Sequence, residues 1–309
     1  MLQTAAEAPR DLEKVKQYWD QESGTWEIGR GIHWTEHTAV QQRINQMVSG
    51  SPHTDPYRHL IAFLKSRGVA LPLGRCLTLG CGGGELERGL AKYNLCRRHD
   101  AYDISPGSIE LAQQTAHEQR LHHIDYQVAD INRIAIPPDT YDVVFAVMSA
   151  HHFSDLEDIF SQVRRSLKPG GLFFLNEFVG PTKFQWTDRQ LEIVNGLLQV
   201  LPPAYRMMKD GQWKTSVQRP TLPEMDAIDP SEAVRSGEIL NALSLFFNIA
   251  EKKDYGGTIL HLLLEGIAFN FNGAPAGSGM RLLQTLFDVE DQLLQLGDIT
   301  SDFSVIIAE

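Results

Sequence analysis

The residues best suited to chemistry form a glycine-rich turn, Thr78-Leu79-Gly80-Cys81-Gly82-Gly83-Gly84-Glu85, which lies between an apolar run and a helical pattern. Counted from Gly80, positions one, three and five of this turn are Gly80, Gly82 and Gly84. Glycines at these positions let the backbone approach a ligand closely and expose the amides of a helix N-terminus. Asp103 follows Gly80 by 23 residues, where α/β nucleotide sites place an acid against the ribose hydroxyls. The turn and the acid together predict a nucleotide site.

Two common kinds of nucleotide site are disfavoured. A nicotinamide or flavin dinucleotide fingerprint has glycine at the sixth position of the turn, which here is Glu85. An ATP-binding P-loop would need G-x-x-x-x-G-K-[ST], which the sequence lacks.

A histidine and an acid close two of the predicted strands. His151 follows the fourth strand and Glu177 lies near the end of the fifth. In a parallel sheet these ends face one crevice, and a histidine oriented by a carboxylate is a competent general base. We predict that His151 is the base and Glu177 its orienting partner, with the alternative that one histidine only packs beside the cofactor. We expect the neighbouring His152 to turn into the fold.

Aromatic and polar side chains outside the turn suit a polar small-molecule substrate. His33 and His37 are four residues apart, but no third metal ligand is evident, so capping, packing or substrate contact is favoured for them. Core packing is the alternative for each aromatic residue. The predicted contacts with this substrate, called the acceptor contacts below, are Tyr18, Trp19, His33, Trp186, Arg189 and Tyr205.

Alternating strands and capped helices must position these residues, a pattern typical of a parallel sheet wound in β-α-β units. Strands are predicted at 75–79, 100–104, 125–128, 141–148, 172–178, 248–255 and 303–308. Helices are predicted at 11–19, 35–48, 187–200, 231–247, 258–271 and 280–296. Another helix is predicted from Asp55 to about 68, and one more begins at Ser105. A capping box of Ser154 and Glu157 predicts a further helix start, and Gln190 completes a capping box for the helix at 187–200. The stretch 204–229 has no clear period.

Composition narrows the class of protein. The 309 residues carry 28 Lys and Arg against 39 Asp and Glu, a net charge of −11, which disfavours binding to a nucleic-acid backbone. The cysteines Cys76, Cys81 and Cys96 form no C-x-x-C pair, which disfavours a disulfide framework and a zinc knuckle. No secretory segment or membrane-length apolar run is visible. We expect a cytoplasmic protein with a small-molecule substrate and no membrane span, and a homodimer stays open.

Residues 75–178 resemble the class I S-adenosylmethionine-dependent methyltransferases, especially their bacterial small-molecule, type 11/12-like branch. Besides the glycine turn, the resemblance rests on Tyr102-Asp103-Ile104-Ser105-Pro106, Asp130, Tyr141-Asp142-Val143-Val144, His151-His152 and Leu167-Lys168-Pro169-Gly170-Gly171. One position departs from the family, because the acid that commonly stands two residues before the first glycine, and helps to hold the amino-acid end of the cofactor, is Thr78 here.

The resemblance implies an α/β fold with a Rossmann-like, seven-stranded, mostly parallel sheet, an N-terminal helical lid and an inserted helical cap. The expected division is 1–70 for the lid, 71–178 for the cofactor-binding core, 179–230 for the acceptor-binding insertion and 231–309 for completion of the sheet. S-adenosylmethionine is the implied cofactor, S-adenosylhomocysteine its product, and no metal is expected. The implied cofactor contacts are Thr78, Gly80, Cys81, Gly82, Gly84, Asp103, Ile104, Asp130, Ile131 and Val147.

The implied activity is methyl transfer to a small molecule, with a hydroxyl of a sugar or natural product as the favoured acceptor. Transfer to nitrogen or carbon of a secondary metabolite or quinone precursor is the nearest alternative. A cofactor-binding module without turnover is a further alternative, which the threonine at position 78 keeps open.

Overall fold

A seven-stranded sheet forms the centre of the computed structural model, which describes residues 12–22, 33–274 and 277–309. The strands are β1 (Cys76–Leu79), β2 (His99–Asp103), β3 (Ile124–Val128), β4 (Tyr141–Val147), β5 (Leu167–Phe178), β6 (Ile249–Gly256) and β7 (Phe303–Ala308). Their order is β3-β2-β1-β4-β5-β7-β6, with β1 to β5 parallel and β7 antiparallel to both of its neighbours. The predicted Rossmann-like, mostly parallel sheet is confirmed.

Eleven α-helices accompany the strands in the described ranges. They are α1 (Leu12–Glu22), α2 (Thr38–Ser49), α3 (Pro56–Ser66), α4 (Glu85–Lys92), α5 (Pro106–Glu118), α6 (Leu156–Ser166), α7 (Asp188–Val200), α8 (Leu222–Ile228), α9 (Ile239–Phe246), α10 (Leu260–Leu264) and α11 (Ser278–Leu296). Much of the predicted lid is outside the described residues, namely 1–11 and 23–32.

Both faces of the sheet are buried, which explains why its central strands are continuous apolar runs. In β4, Val143 and Phe145 face one apolar cluster while Val144 and Ala146 face another, because successive side chains of a strand point to opposite sides. Helices α2, α3, α7, α10 and α11 cover the first face, and α6 and α9 cover the second. The carboxyl ends of β1, β2 and β4 are left to form a site.

The helix starts depend on side chains that satisfy the first free amides. Asp55 Oδ1 accepts from the amides of Tyr57 and Arg58 at 2.9 Å, as predicted. The predicted capping box of Thr187 and Gln190 is also confirmed.

The predicted capping box of Ser154 and Glu157 is wrong. Asp155 caps α6 by accepting from the amide of Asp158, whereas Ser154 binds Asn132. The Glu157 carboxylate instead pairs with Arg235 at 2.6 Å.

Several predicted elements of the second half differ from the structure. The predicted helix 231–247 begins only at Ile239, and the predicted helix 258–271 is interrupted at Gly266, whose φ is 72°. The stretch 204–229 contains the short helix α8. Strand β5 begins five residues before the predicted start, because a bulge carries Gly170 at φ 78°.

A buried carboxylate ties α11 to the neighbouring elements. Glu290 is fully buried and accepts from the amides of Ile259 at 2.8 Å and Leu260 at 3.0 Å. Arg43 of α2 lies 3.0 Å from the same side chain and neutralises it.

Among the described helices, none combines the length and the apolarity that a membrane crossing needs.

Candidate functional site

A cavity of about 160 Å³ opens at the carboxyl ends of β1, β2 and β4. This is the crevice where open α/β sheets bind their ligands. Its walls are Val15, Trp19, Gly80, Gly82, Asp103, Ile104, Ser108, Asp130, Ile131, Asn132, Met148, Ser149, His152, Phe153 and Ser231.

The glycine turn adopts the backbone that only glycine accepts easily. Gly80 and Gly82 have φ of 77° and 49°, in the left-handed region. A Cβ on Gly80 would overlap Ser149, whereas a Cβ on Gly82 would meet nothing within 4 Å. Gly82 is thus an open edge of the cavity, and Gly80 allows the turn to pack against the end of β4.

Asp103 holds the turn in place from the end of β2. Its Oδ2 accepts from the amide of Gly82 at 2.8 Å, and its Oδ1 accepts from the amide of Ser105 at 2.9 Å. Burial raises the pKa of Asp103, while these amide bonds act in the opposite direction. The carboxylate lies on the cavity wall with acceptor capacity left for hydroxyl groups.

Helix α1 covers one side of the cavity. Asp20 accepts from the hydroxyl of Ser105 at 2.7 Å and from the amide of Gly107 at 3.0 Å, which docks α1 onto the start of α5. Trp19 of α1 lines the cavity, and Tyr18 packs edge-on against it at 5.3 Å between ring centroids. Both residues belong to the predicted lid, and their predicted contact with an acceptor stays a prediction.

Six of the ten predicted cofactor contacts line the cavity: Gly80, Gly82, Asp103, Ile104, Asp130 and Ile131. Four do not. Thr78 is buried below the turn with its Oγ1 2.8 Å from His99 Nε2, Cys81 is buried, Gly84 packs against Tyr126, and Val147 is half-buried. Residues on the wall that the sequence did not indicate include Asn132, Met148 and Phe153.

Glu177 is fully buried and organises the turn after β4. Its Oε2 accepts from the amides of Ser149 at 2.8 Å and Ala150 at 2.7 Å, and its Oε1 accepts from the Nδ1 of His151. The predicted contact between Glu177 and His151 is therefore confirmed. Neither residue is on the cavity wall.

His151 lies between two carboxylates. Its Nε2 is 3.5 Å from Glu232, on the side opposite to Glu177. Burial opposes the charged form, but the Glu177 carboxylate, helped by Glu232, outweighs it and raises the pKa of His151 to about 9. The imidazole is consequently a cation at neutral pH, a state in which it cannot accept a proton.

His152 faces the cavity, contrary to the expectation that it turns into the fold. Its Nδ1 lies 3.0 Å from the hydroxyl of Ser231, and Ser231 donates through both its amide and its hydroxyl to Asp229 Oδ1 at 2.7 Å. Burial, and then the charge on His151, lower the pKa of His152. A neutral imidazole thus lines the cavity, with a buried carboxylate behind it.

The other predicted acceptor contacts lie away from this cavity. His33 neighbours His261, with ring centroids 6.4 Å apart, and Trp186 is buried in a stack on Phe184. Arg189 is on the surface, paired with Asp298 at 2.7 Å. Tyr205 packs on Phe271, and His37 caps α2 by accepting from the amide of Ala39.

The order of the sheet, the glycine turn after β1 and the acid that closes β2 define a Rossmann-like methyltransferase. Residues 77–175 match the family model described as "Methyltransferase domain". These residues form a class I S-adenosylmethionine-dependent methyltransferase domain, and S-adenosylmethionine is the cofactor of this class.

Two relatives with curated names are methyltransferases, one of squalene and one of ubiquinone biosynthesis. Squalene methyltransferase 1 of Botryococcus braunii is 26% identical over 178 residues, 56% of this chain and 43% of the relative. Ubiquinone biosynthesis O-methyltransferase of Xanthomonas campestris pv. campestris is 33% identical over 109 residues, 35% of this chain and 44% of the relative. The chain spans about half the length of the curated relatives it matches.

A solved structure shares the fold over nearly the whole chain. Geranyl diphosphate C-methyltransferase from Streptomyces coelicolor A3(2) aligns with a TM-score of 0.51 at 15% identity, covering 99% of both chains. The alignment therefore extends beyond the matched domain to the helices that flank the sheet.

Proposed function

We propose that the protein transfers a methyl group from S-adenosylmethionine to a hydroxyl of a small molecule, such as a sugar or natural product. Gly80, Gly82, Asp103 and Asp130 would hold the cofactor, since they line the cavity with close-approach backbone and carboxylates. The bound cofactor supplies an electrophilic methyl group on a sulfonium. The remaining task of the chain is to align the acceptor and remove its proton.

The observation that carries the proposal is the chain of hydrogen bonds behind His152. The single hydroxyl proton of Ser231 is directed to Asp229, so Ser231 Oγ can only accept from His152 Nδ1. A neutral His152 then carries its proton on Nδ1 and its lone pair on Nε2. That nitrogen is the general base we propose for a hydroxyl acceptor.

His152 replaces His151 in this proposal, because His151 already holds a proton between Glu177 and Glu232. The cationic ring has its centroid 4.2 Å from the ring of His152. Its charge keeps His152 neutral at physiological pH, so the two histidines have separate tasks. Glu177 keeps the predicted orienting role, directed to His151 and the turn after β4.

The name of the ubiquinone relative supports oxygen as the acceptor atom, and the names of the squalene and sterol relatives support carbon. The proton-accepting chain supports oxygen in this proposal, because a hydroxyl must lose its proton to become a nucleophile.

The test is transfer of radiolabelled methyl from S-adenosylmethionine to a panel of hydroxyl, amine and carbon acceptors. On the best hydroxyl acceptor, His152→Ala should lower kcat by about 100-fold or more, as expected for loss of a general base. Asp229→Asn should lower kcat by a smaller factor. The control His53→Ala removes an exposed histidine from the loop between α2 and α3 and should retain the wild-type rate.

The pH profile separates a base from a packing residue. Because the pKa of His152 is lowered from 6.5, the wild-type rate should fall only when the pH drops below 6.5. Full activity of His152→Ala on the hydroxyl acceptor would show that the proposed base is wrong. Calorimetric binding of S-adenosylmethionine without transfer to any acceptor would favour the binding-module alternative.

A further inference from the structure

A second group of chemically competent side chains lies outside the cofactor cavity. One potential ligand atom each from His33, His261 and Glu265 comes within 4.8 Å of the others. Glu265 is the residue that follows α10, and its amide donates to the carbonyl of His261 at 3.1 Å, so the two residues lie one helical turn apart. His33 reaches them from the start of the short turn Trp34–Glu36.

The three side chains supply two imidazoles and one carboxylate, and the carboxylate brings negative charge to the same point.

His261 carries an unsatisfied polar atom. Its Nδ1 is buried and has no hydrogen-bond partner. A buried imidazole nitrogen without a hydrogen-bond partner is available to a ligand. By contrast, Thr35 Oγ1 lies 2.7 Å from the Nδ1 of His33 and leaves the Nε2 of that ring for a ligand.

The surroundings resemble the outer shell of a metal site. Aromatic rings of Trp34, Phe178, Phe184 and Phe303 surround His261 at 5.4–6.4 Å between centroids. Such an apolar wall fixes the ring, and a hydrogen bond to the second nitrogen of His33 fixes the other. The three residues are only partly buried, which leaves a path for an ion.

A second three-residue group, His151 with His152 and Glu232, does not have this property. Both nitrogens of His151 face carboxylates and hold protons, and the Nδ1 of His152 is engaged by Ser231. Protons already satisfy that group, whereas the group at α10 has an orphan nitrogen.

We propose that His33, His261 and Glu265 bind a first-row divalent cation, Zn²⁺ in the first instance. Two imidazoles and one carboxylate are a common ligand set for such ions, and three protein ligands leave a further position for water or an anionic group. Zinc–ligand bonds are about 2.0–2.2 Å long, which puts tetrahedral ligand atoms about 3.5 Å apart, so the three ligand atoms would move closer together on binding. Phe178, whose ring lies 6.3 Å from both His151 and His261, separates this site from the turn after β4.

The ion would join parts of the chain that are far apart in sequence. His33 belongs to the segment that precedes α2, and the other two ligands belong to the second half of the chain. Binding to the folded state alone raises stability by mass action. The site is thus expected to fasten the N-terminal segment to α10, and its role is separate from methyl transfer.

The test titrates Zn²⁺ into untagged protein freed of metal with EDTA, in competition with a chromogenic chelator. Wild type should bind one equivalent, and Co²⁺ in its place should give visible d–d absorption. His261→Phe, which suits the aromatic surroundings, should lose the site and the rise in Tm on adding Zn²⁺. Thr35→Val should weaken binding by about 10-fold through the orientation of His33.

Two controls make the result decisive. His59 contacts Glu251 at 2.7 Å, a histidine and acid pair without a third ligand, and His59→Asn should bind Zn²⁺ as wild type does. His152→Asn should also bind one equivalent of Zn²⁺. The proposal is overturned if wild type binds no Zn²⁺, if folded His261→Phe binds Zn²⁺ as wild type does, or if His152→Asn no longer binds Zn²⁺. None of these outcomes depends on methyltransferase activity.

Discussion

A single buried histidine should give the folded protein a contribution to stability that is lost between pH 6.5 and 9. The pKa of His151 rises from 6.5 to about 9 on folding, in a site where burial is outweighed by Glu177 and Glu232. A pKa raised on folding means that the folded state holds its proton more tightly. The resulting stability is therefore complete below pH 6.5 and is lost as the pH rises through 9.

The magnitude follows from the shift. The interval between 6.5 and about 9, at about 1.36 kcal/mol for each pKa unit, corresponds to about 3 kcal/mol of unfolding free energy. That is a large part of the roughly 5–15 kcal/mol by which proteins of ordinary stability are folded. The change should be visible as a falling urea midpoint.

The assay compares wild type with His151→Asn in urea unfolding from pH 6 to pH 10. Asparagine can still donate to Glu177 but does not titrate. Lys214 has the opposite effect, because burial lowers its pKa from 10.5 to about 8 and its destabilising cost is relieved as the pH rises above 8. Since Lys214 is present in both proteins, the difference between their unfolding free energies isolates His151.

The difference should shrink by about 3 kcal/mol between pH 6.5 and pH 9. A constant difference across this range would mean that His151 is neutral in the folded protein. The assignment of His151 as a fixed cation would then be wrong, and its predicted role as a base would regain support.

Two further predictions concern stability. Gly80→Ala should lower the free energy of unfolding clearly more than Gly82→Ala in urea denaturation. The left-handed backbone costs about 1–2 kcal/mol in both variants, but only the Cβ at position 80 overlaps Ser149. Equal losses would contradict the close packing at Gly80. Glu290→Gln should cost about 2 kcal/mol, measured in the same way, because two helix amides lose their charged acceptor and Arg43 keeps only Asp291 as a charged partner. A loss below about 0.5 kcal/mol would contradict this.

The sheet could be predicted from sequence because its signals are local. A strand buried on both faces is an apolar run, as in Val143–Ala146, and the glycine turn marks the end of β1. The meeting of His151 and Glu177 follows from topology alone, since adjacent parallel strands bring their carboxyl ends together.

The second half of the chain was harder to predict because side chains there compete with the helical backbone. Ser231 donates to Asp229, and Ser236 Oγ donates to the carbonyl of Gly180 at 2.9 Å, so the expected helix starts late. An apolar period around Leu260 extends past Gly266, whose left-handed backbone ends the helix.

The site residues that sequence reasoning missed depend on distant contacts. The role proposed for Asp229 and Ser231 depends on the contact of Ser231 with His152, which lies 79 residues earlier in the chain. The spacing of His261 and Glu265 is a visible signal, but its third member, His33, could be found only in the folded chain.

β7 is the last strand that the structure describes, and it joins β6 to the five parallel strands. β7 is buried along its whole length between β5 and β6. During synthesis on a ribosome, β5 must therefore wait with an unpaired apolar edge until residue 308 has left the exit tunnel. Such an edge can pair with another nascent chain, so the yield of folded enzyme should depend on chaperones that shield β5 in this interval.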